Sequence, residues 1–235
     1  MLKYIHTLIL LVMVAGQLAA QITFNRRFSL DFPASILSNV IVTDSCYYLT
    51  GTIADSVPPY RPSALFLKTD LQGEPLVVKT IRPQTGSFQI WNPEFTMLAD
   101  GTFAAPAYSF DSISKAVLVR FNSNGDTLFT RKYPNLYVPN EFIWPRAFHV
   151  AQDGGFFFAC DIQGWPWGGY ANADIVVIKT DNEGNIEWHK KIGNHWWERP
   201  LSLLIENGGN IIIGGVKSNL NLVTSNYTYQ DYIIK

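Results

Sequence analysis

Two stretches decide the fold: Asp153-Gly-Gly-Phe-Phe-Phe-Ala-Cys160, and after it Ala173-Asp-Ile-Val-Val-Ile-Lys-Thr-Asp-Asn-Glu-Gly-Asn-Ile-Glu-Trp188. The first is a turn that opens onto a continuous apolar run. The second is a β-branched run that ends in a basic residue, turns at a glycine and leaves as an alternating segment, Ile186–Ile192. With Arg146-Ala-Phe-His-Val150 ahead of it, the unit reads as four short strands joined through turns, since β-branched and aromatic runs bounded by Asp-Gly pairs are hairpin signals. No helical period of 3.6 residues competes with this pattern after the N-terminus.

The unit recurs. Turns at Asp44-Ser45, Asp100-Gly101, Asp153-Gly154 and Asn207-Gly208 follow one another at spacings of 56, 53 and 54 residues. A second set ends at Gly73, Gly125 and Gly184, preceded by Lys68, Arg120 and Lys179, and Lys235 ends a fourth copy. A period of this length with several strands per unit predicts an all-β protein, a β-propeller of four-stranded antiparallel blades. The blades are expected over residues 36–81, 88–135, 144–194 and 199–235, three complete and the last partial. The sequence leaves two readings of the partial blade open. Either more blades follow Lys235 and the sequence is an N-terminal fragment, or Thr23–Leu30 supplies the outermost strand and closes a four-bladed ring.

The chain begins with Lys3, an apolar stretch from Leu8 to Ala15, and small residues ending at Ala20. This describes a secretory signal peptide over residues 1–20, too short to span a membrane. The propeller is therefore expected over 21–235, as a secreted or cell-surface monomer with no membrane span after cleavage. The formal net charge is −1 and there is no Lys/Arg run, so a nucleic-acid partner is not expected. Cys46 and Cys160 fall at different places in their repeats, so a disulfide is permitted outside the cell but not implied; two buried thiols are the simpler reading.

The segment from Ala173 to Trp188, with Pro200-Leu-Ser-Leu-Leu-Ile-Glu-Asn-Gly-Gly-Asn-Ile-Ile-Ile-Gly-Gly215, resembles the secreted β-propeller repeat proteins of Bacteroidota. Copies three and four carry the motif well; copies one and two lack the Trp and the double Gly. The resemblance implies a propeller and an extracellular setting, and says little about chemistry. The same segment is similar to the repeats of quinone-dependent dehydrogenase propellers, where it docks neighbouring blades; their quinone site is not carried over, and no cofactor is expected.

In a propeller the long loops share one face. Trp91, Trp144, Trp165, Trp167, Trp196 and Trp197 are expected there, joined by Tyr residues including Tyr170. Flat aromatic faces with a polar rim suit sugars or extended peptides. Trp165, Trp167, Trp144, Trp196, Trp197 and Tyr170 are thus the ligand-binding candidates, against the alternative that such rings fill gaps between blades. No catalytic or metal-binding set is recognised. His149, His189 and His195 lack ligand spacing, no Gly-x-Ser-x-Gly elbow is present, and Asp181-Asn-Glu-Gly184 reads as a turn rather than a calcium loop. Asn226-Tyr-Thr228 is a glycosylation triplet. The expectation is a non-enzymatic module binding an extracellular glycan or protein. The alternatives are a hydrolase or lyase with its site in the axial pocket, completed by further blades, and a structural spacer. An enzyme requires carboxylates or His converging near the axis; a binder requires exposed coplanar Trp.

Overall fold

A computed structural model of the chain describes residues 30, 32–58, 61–82, 86–90, 94–109, 113–138, 141–163, 173–193, 197–206, 208–221 and 226–234. The expected leader and all but the last residue of Thr23–Leu30 lie outside them.

The described residues form strands and turns, with no helix. The first sheet is an antiparallel meander of β1 (Ala34–Val42), β2 (Tyr47–Ala54), β3 (Pro62–Thr69) and β4 (Pro75–Ile81). The second has its first strand broken into β5 (Phe88–Gln89) and β6 (Thr96–Met97), both paired to β7 (Phe103–Ser109), followed by β8 (Ala116–Phe121) and β9 (Thr127–Tyr133). The third is β10 (Phe142–Val150), β11 (Phe156–Gln163), β12 (Ala173–Thr180) and β13 (Ile186–Ile192). The fourth sheet holds β14 (Trp197–Ile205), β15 (Ile211–Asn221) and β16 (Asn226–Ile234).

Each sheet buries its faces against its neighbours in chain order, as propeller blades do. Tyr48 and Phe66 of the first sheet pack on Phe95, Phe103 and Phe121 of the second, with Phe103 and Phe121 stacked at 5.5 Å. Leu118 and Tyr133 of the second meet Phe148, Phe156 and Phe158 of the third. Ala159, Ile175 and Val177 of the third meet Leu203 and Ile213 of the fourth. These contacts remove large aromatic and branched side chains from water, each contributing about 1.5–3 kcal/mol. Cys46 and Cys160 are both buried and free, matching the two-thiol reading.

The turn end of the blades follows the sequence closely. Asp70, Asn122 and Asp181 each use Oδ1 to accept the backbone N–H groups two and four residues on, at 2.8–2.9 Å. These side chains complete the turn themselves, so Asp181 is a turn residue. The glycine that follows docks on the preceding blade. Gly184 has φ of 80°, its carbonyl accepts the Tyr133 hydroxyl at 2.8 Å, and a Cβ there would meet Arg131 Cγ at 2.8 Å. In the second and third blades the basic residue before the turn is a staple. Lys179 Nζ donates to Asp153 Oδ2, Glu187 Oε2 and the Thr180 carbonyl, each at 2.8 Å. Burial alone would disfavour its charge, but the two carboxylates outweigh that and raise its pKa.

The loop end departs from expectation. Strands run further there than the apolar runs suggest: β10 begins at Phe142 rather than Arg146, and β14 at Trp197 rather than Leu201. Both extensions contain a proline, Pro145 or Pro200, which an edge strand tolerates because its free N–H side needs no partner. Trp144 and Trp197 therefore sit in strands, not in loops.

Candidate functional site

The first strands share one irregularity. The register shifts between Leu37 and Asn39 on β1, between Pro145 and Ala147 on β10, and between Pro200 and Ser202 on β14. The extra residues are Ser38, Arg146 and Leu201. A bulge re-aims one side chain and sharpens the local twist. In the second blade the first strand is interrupted at that place, β5 ending at Gln89 and β6 beginning at Thr96. The interruption is anchored by fully buried Ile90 and nearly buried Phe95. The Ile90 carbonyl accepts the Ser38 and Thr52 hydroxyls of the first blade at 3.4 and 3.2 Å.

Glu94 lies in this interruption. Its Oε2 accepts the Phe148 backbone N–H of β10 at 2.7 Å, so the carboxyl caps an inner strand of the next blade. Burial raises its pKa, opposed by the Phe148 N–H and by nearby His149. A carboxyl whose pKa is raised by burial keeps its proton to higher pH, which is what a general acid needs.

Arg146 stands two residues before Phe148, about 7 Å along the strand. Its Nε donates to Asp161 Oδ1 at 2.9 Å, and Arg199 Nε of β14 reaches the other oxygen, Oδ2, at 3.3 Å. Asp161 is wholly buried, whereas the arginine side chains are 24% and 32% exposed. A sealed carboxylate needs such partners, since an unpaired buried charge is costly. Each guanidinium also lies over an indole, Arg146 over Trp144 at 5.4 Å and Arg199 over Trp197 at 4.9 Å. Trp144 contacts the Phe142 ring at 5.6 Å. Tyr108, which occupies the register position of Asp161 in the second blade, donates its hydroxyl to Gln89 Oε1 at 3.1 Å. Burial raises the Tyr108 pKa against the field of Arg146.

A second acidic pair lies between the third and fourth blades. Gly193 has φ of 140°, and a Cβ there would stand 2.5 Å from both Asp174 Oδ1 and Glu198 Oε2. Only glycine fits this close approach. Lys191 pairs with Asp174 at 2.9 Å and Lys217 with Glu198 at 3.3 Å.

Of the six aromatic candidates, Trp165, Trp167, Tyr170 and Trp196 lie outside the described residues. Trp144 and Trp197 are brought to one region as the floors of Arg146 and Arg199. Glu94, Arg146, Asp161 and Arg199 were not among the sequence candidates. The available signals were the prolines before Arg146 and after Arg199, and a lone Asp at the end of the apolar run Phe156–Cys160. Among the described residues no group of three or more His, Cys, Asp or Glu could hold a metal ion.

No known sequence family matches the chain, and no curated protein matches it. Solved structures do match in fold. The Penicillium chrysogenum α-L-arabinanase complexed with arabinobiose aligns over 86% of this chain and 63% of its own, with 11% identity and a TM-score of 0.55. A thermostable family-43 glycoside hydrolase aligns over 88% of this chain and 72% of its own, with 12% identity and a TM-score of 0.49. A Bacteroides caccae protein of unknown function aligns over 85% of this chain and 61% of its own, with 12% identity and a TM-score of 0.45. The chain thus spans about three-fifths of the length of the Bacteroides and Penicillium proteins. The arabinanase likeness supports a propeller fold built of antiparallel sheets. It corrects the expectation of a non-enzymatic chain to this extent: the fold matched is one that a glycoside hydrolase carries.

Proposed function

We propose that the chain is a secreted carbohydrate-acting hydrolase whose site lies where the first strands of its blades converge. Glu94 carries this reading. Its carboxyl is fixed by the Phe148 N–H, raised in pKa by burial, and placed in the one inner-strand segment that breaks the repeat. In this role Glu94 delivers its proton to the leaving glycosidic oxygen as the C–O bond to it breaks; a water molecule adds to the anomeric carbon, and the proton it gives up restores the carboxyl. Arg146, tied to Asp161, stands on the same strand as the Phe148 N–H that holds Glu94. General-acid assistance of this kind contributes about 10²–10⁴-fold in rate.

The arabinobiose-bound Penicillium enzyme suggests where a substrate screen should start, with arabino-oligosaccharides, before other plant and host glycans. Residues 1–20 would act as the leader, placing the monomeric enzyme outside the cell. The test is product release from a glycan panel by the wild type and by Glu94→Gln. The reading expects at least one glycan to be cleaved and cleavage to drop roughly 100-fold or more in the variant. A panel left intact, or a variant as active as wild type, refutes it.

A further inference from the structure

We infer that the substrate carries an anionic sugar, a uronic acid whose carboxylate is received by Arg199. The inference rests on the carbohydrate reading above and names the class of glycan.

Asp161 is one charge shared between two guanidiniums, and its shorter contact goes to Arg146. Because Asp161 is sealed from water, a ligand does not displace it. Among the described residues it is the only carboxylate within ion-pair distance of Arg199, and its oxygen sits 3.3 Å away. Arg199 therefore keeps much of its charge unanswered by the described residues.

The geometry of the guanidinium says what would answer it. A guanidinium presents two forks, one through Nε and one between the two terminal nitrogens. Asp161 takes the Nε of Arg199, and Nη1 and Nη2 have no acceptor among the described residues. The Trp197 ring lies beneath the group at 4.9 Å, which restrains it, and the side chain is 32% exposed. A restrained, partly exposed fork with no acceptor among the described residues matches the two oxygens of a carboxylate, which binds Arg bidentately. The bulge residue of this strand is Leu201, so the fourth blade has no second cation at the place Arg146 occupies in the third. Recognition of the anion falls to Arg199.

The probes are trigalacturonate and, as its neutral counterpart, arabinotriose, titrated calorimetrically into the full chain at low and high salt. Trigalacturonate is expected to bind, more weakly at high salt, and at least about tenfold more tightly than arabinotriose, the gain of one charge-assisted bidentate pair. This comparison uses wild-type protein alone and does not depend on a variant folding. Arg199→Gln should lower trigalacturonate affinity by about tenfold or more while arabinotriose changes less than about twofold. Arg199→Lys should lose affinity too, because an ammonium lacks the fork. Equal binding of the two trisaccharides, or unchanged affinity in Arg199→Gln, overturns the inference. If neutral glycans are cleaved in a Glu94-dependent way and trigalacturonate does not bind, this inference fails and the hydrolase reading stands. If trigalacturonate binds through Arg199 and no glycan is cleaved, the reverse holds.

Discussion

The two ends of the blades are built differently. At the turn end the same chemistry repeats: Asp70, Asn122 and Asp181 close their turns identically. Arg120 bonds Asp100 much as Lys179 bonds Asp153. At the loop end the backbone repeats and the side chains do not. One bulge recurs in three blades, yet it holds Ser38, Arg146 and Leu201. In the remaining blade it grows into the segment that carries Glu94. Periodic positions answer to the demands of every blade, namely a positive φ, a completed turn and a docked neighbour. A position whose backbone recurs while its side chain varies is released from those demands, and there chemistry can be placed.

Both ends hang on the aromatic core between them, so the largest effect should come from removing part of it. Phe103 touches Tyr48, Phe66, Phe95 and Phe121 across the first two blades. Phe103→Ala should cost about 3–5 kcal/mol in denaturant unfolding. A loss below about 1 kcal/mol would show that the two blades do not share a core. At the loop end, Asp161→Ala should cost about 2 kcal/mol, less than a wholly buried pair because both guanidiniums reach water. If stability is unchanged, the Arg146–Asp161–Arg199 bridge does not hold the third and fourth blades together.

The turn end should be more forgiving. Lys179→Met should cost about 1 kcal/mol, since the carboxylates it leaves are exposed and rehydrate. The pH dependence has a definite sign. Lys179 and the Gly155 N–H hold the Asp153 pKa below its usual value. The folded state therefore binds fewer protons, and this contribution is present above the unfolded pKa and lost as pH falls through the folded one. Its size is small because Asp153 is largely exposed. Thermal melts from neutral to acid pH should show a shallower acid-side decline in Lys179→Met than in wild type. Parallel declines would mean that the staple is not an ionic one.

This contrast explains what the sequence makes legible. The strands, their turns and their order follow from the fifty-odd-residue period, and Lys68, Arg120 and Lys179 are visible as a set because they recur. Three things are not visible. The strands continue past their apolar runs at the loop end, where pairing rather than hydrophobicity sustains them, so Trp144 and Trp197 read as loop residues although they are in β10 and β14. Asp161 and Arg199 lie 38 residues apart on different blades, and no local pattern announces that they meet. Glu94 has no counterpart in the other copies. Its contact with the next blade exists only in the fold, where the Phe148 N–H lies 2.7 Å from its carboxyl. The expectation of a non-enzymatic module rests on the conspicuous aromatics and on the lack of a recognised catalytic motif.

The most direct test is the pH dependence of kcat/KM on a cleaved glycan, for wild type and Glu94→Gln. Because burial raises the Glu94 pKa, the acid form should persist above the ordinary glutamate range. Activity should then fall as pH rises through that raised value. Glu94→Gln should lose about 100-fold or more and lose this alkaline limb as well. An alkaline limb of the same position in the variant, or activity within about twofold of wild type, would contradict the assignment of Glu94 as the proton donor.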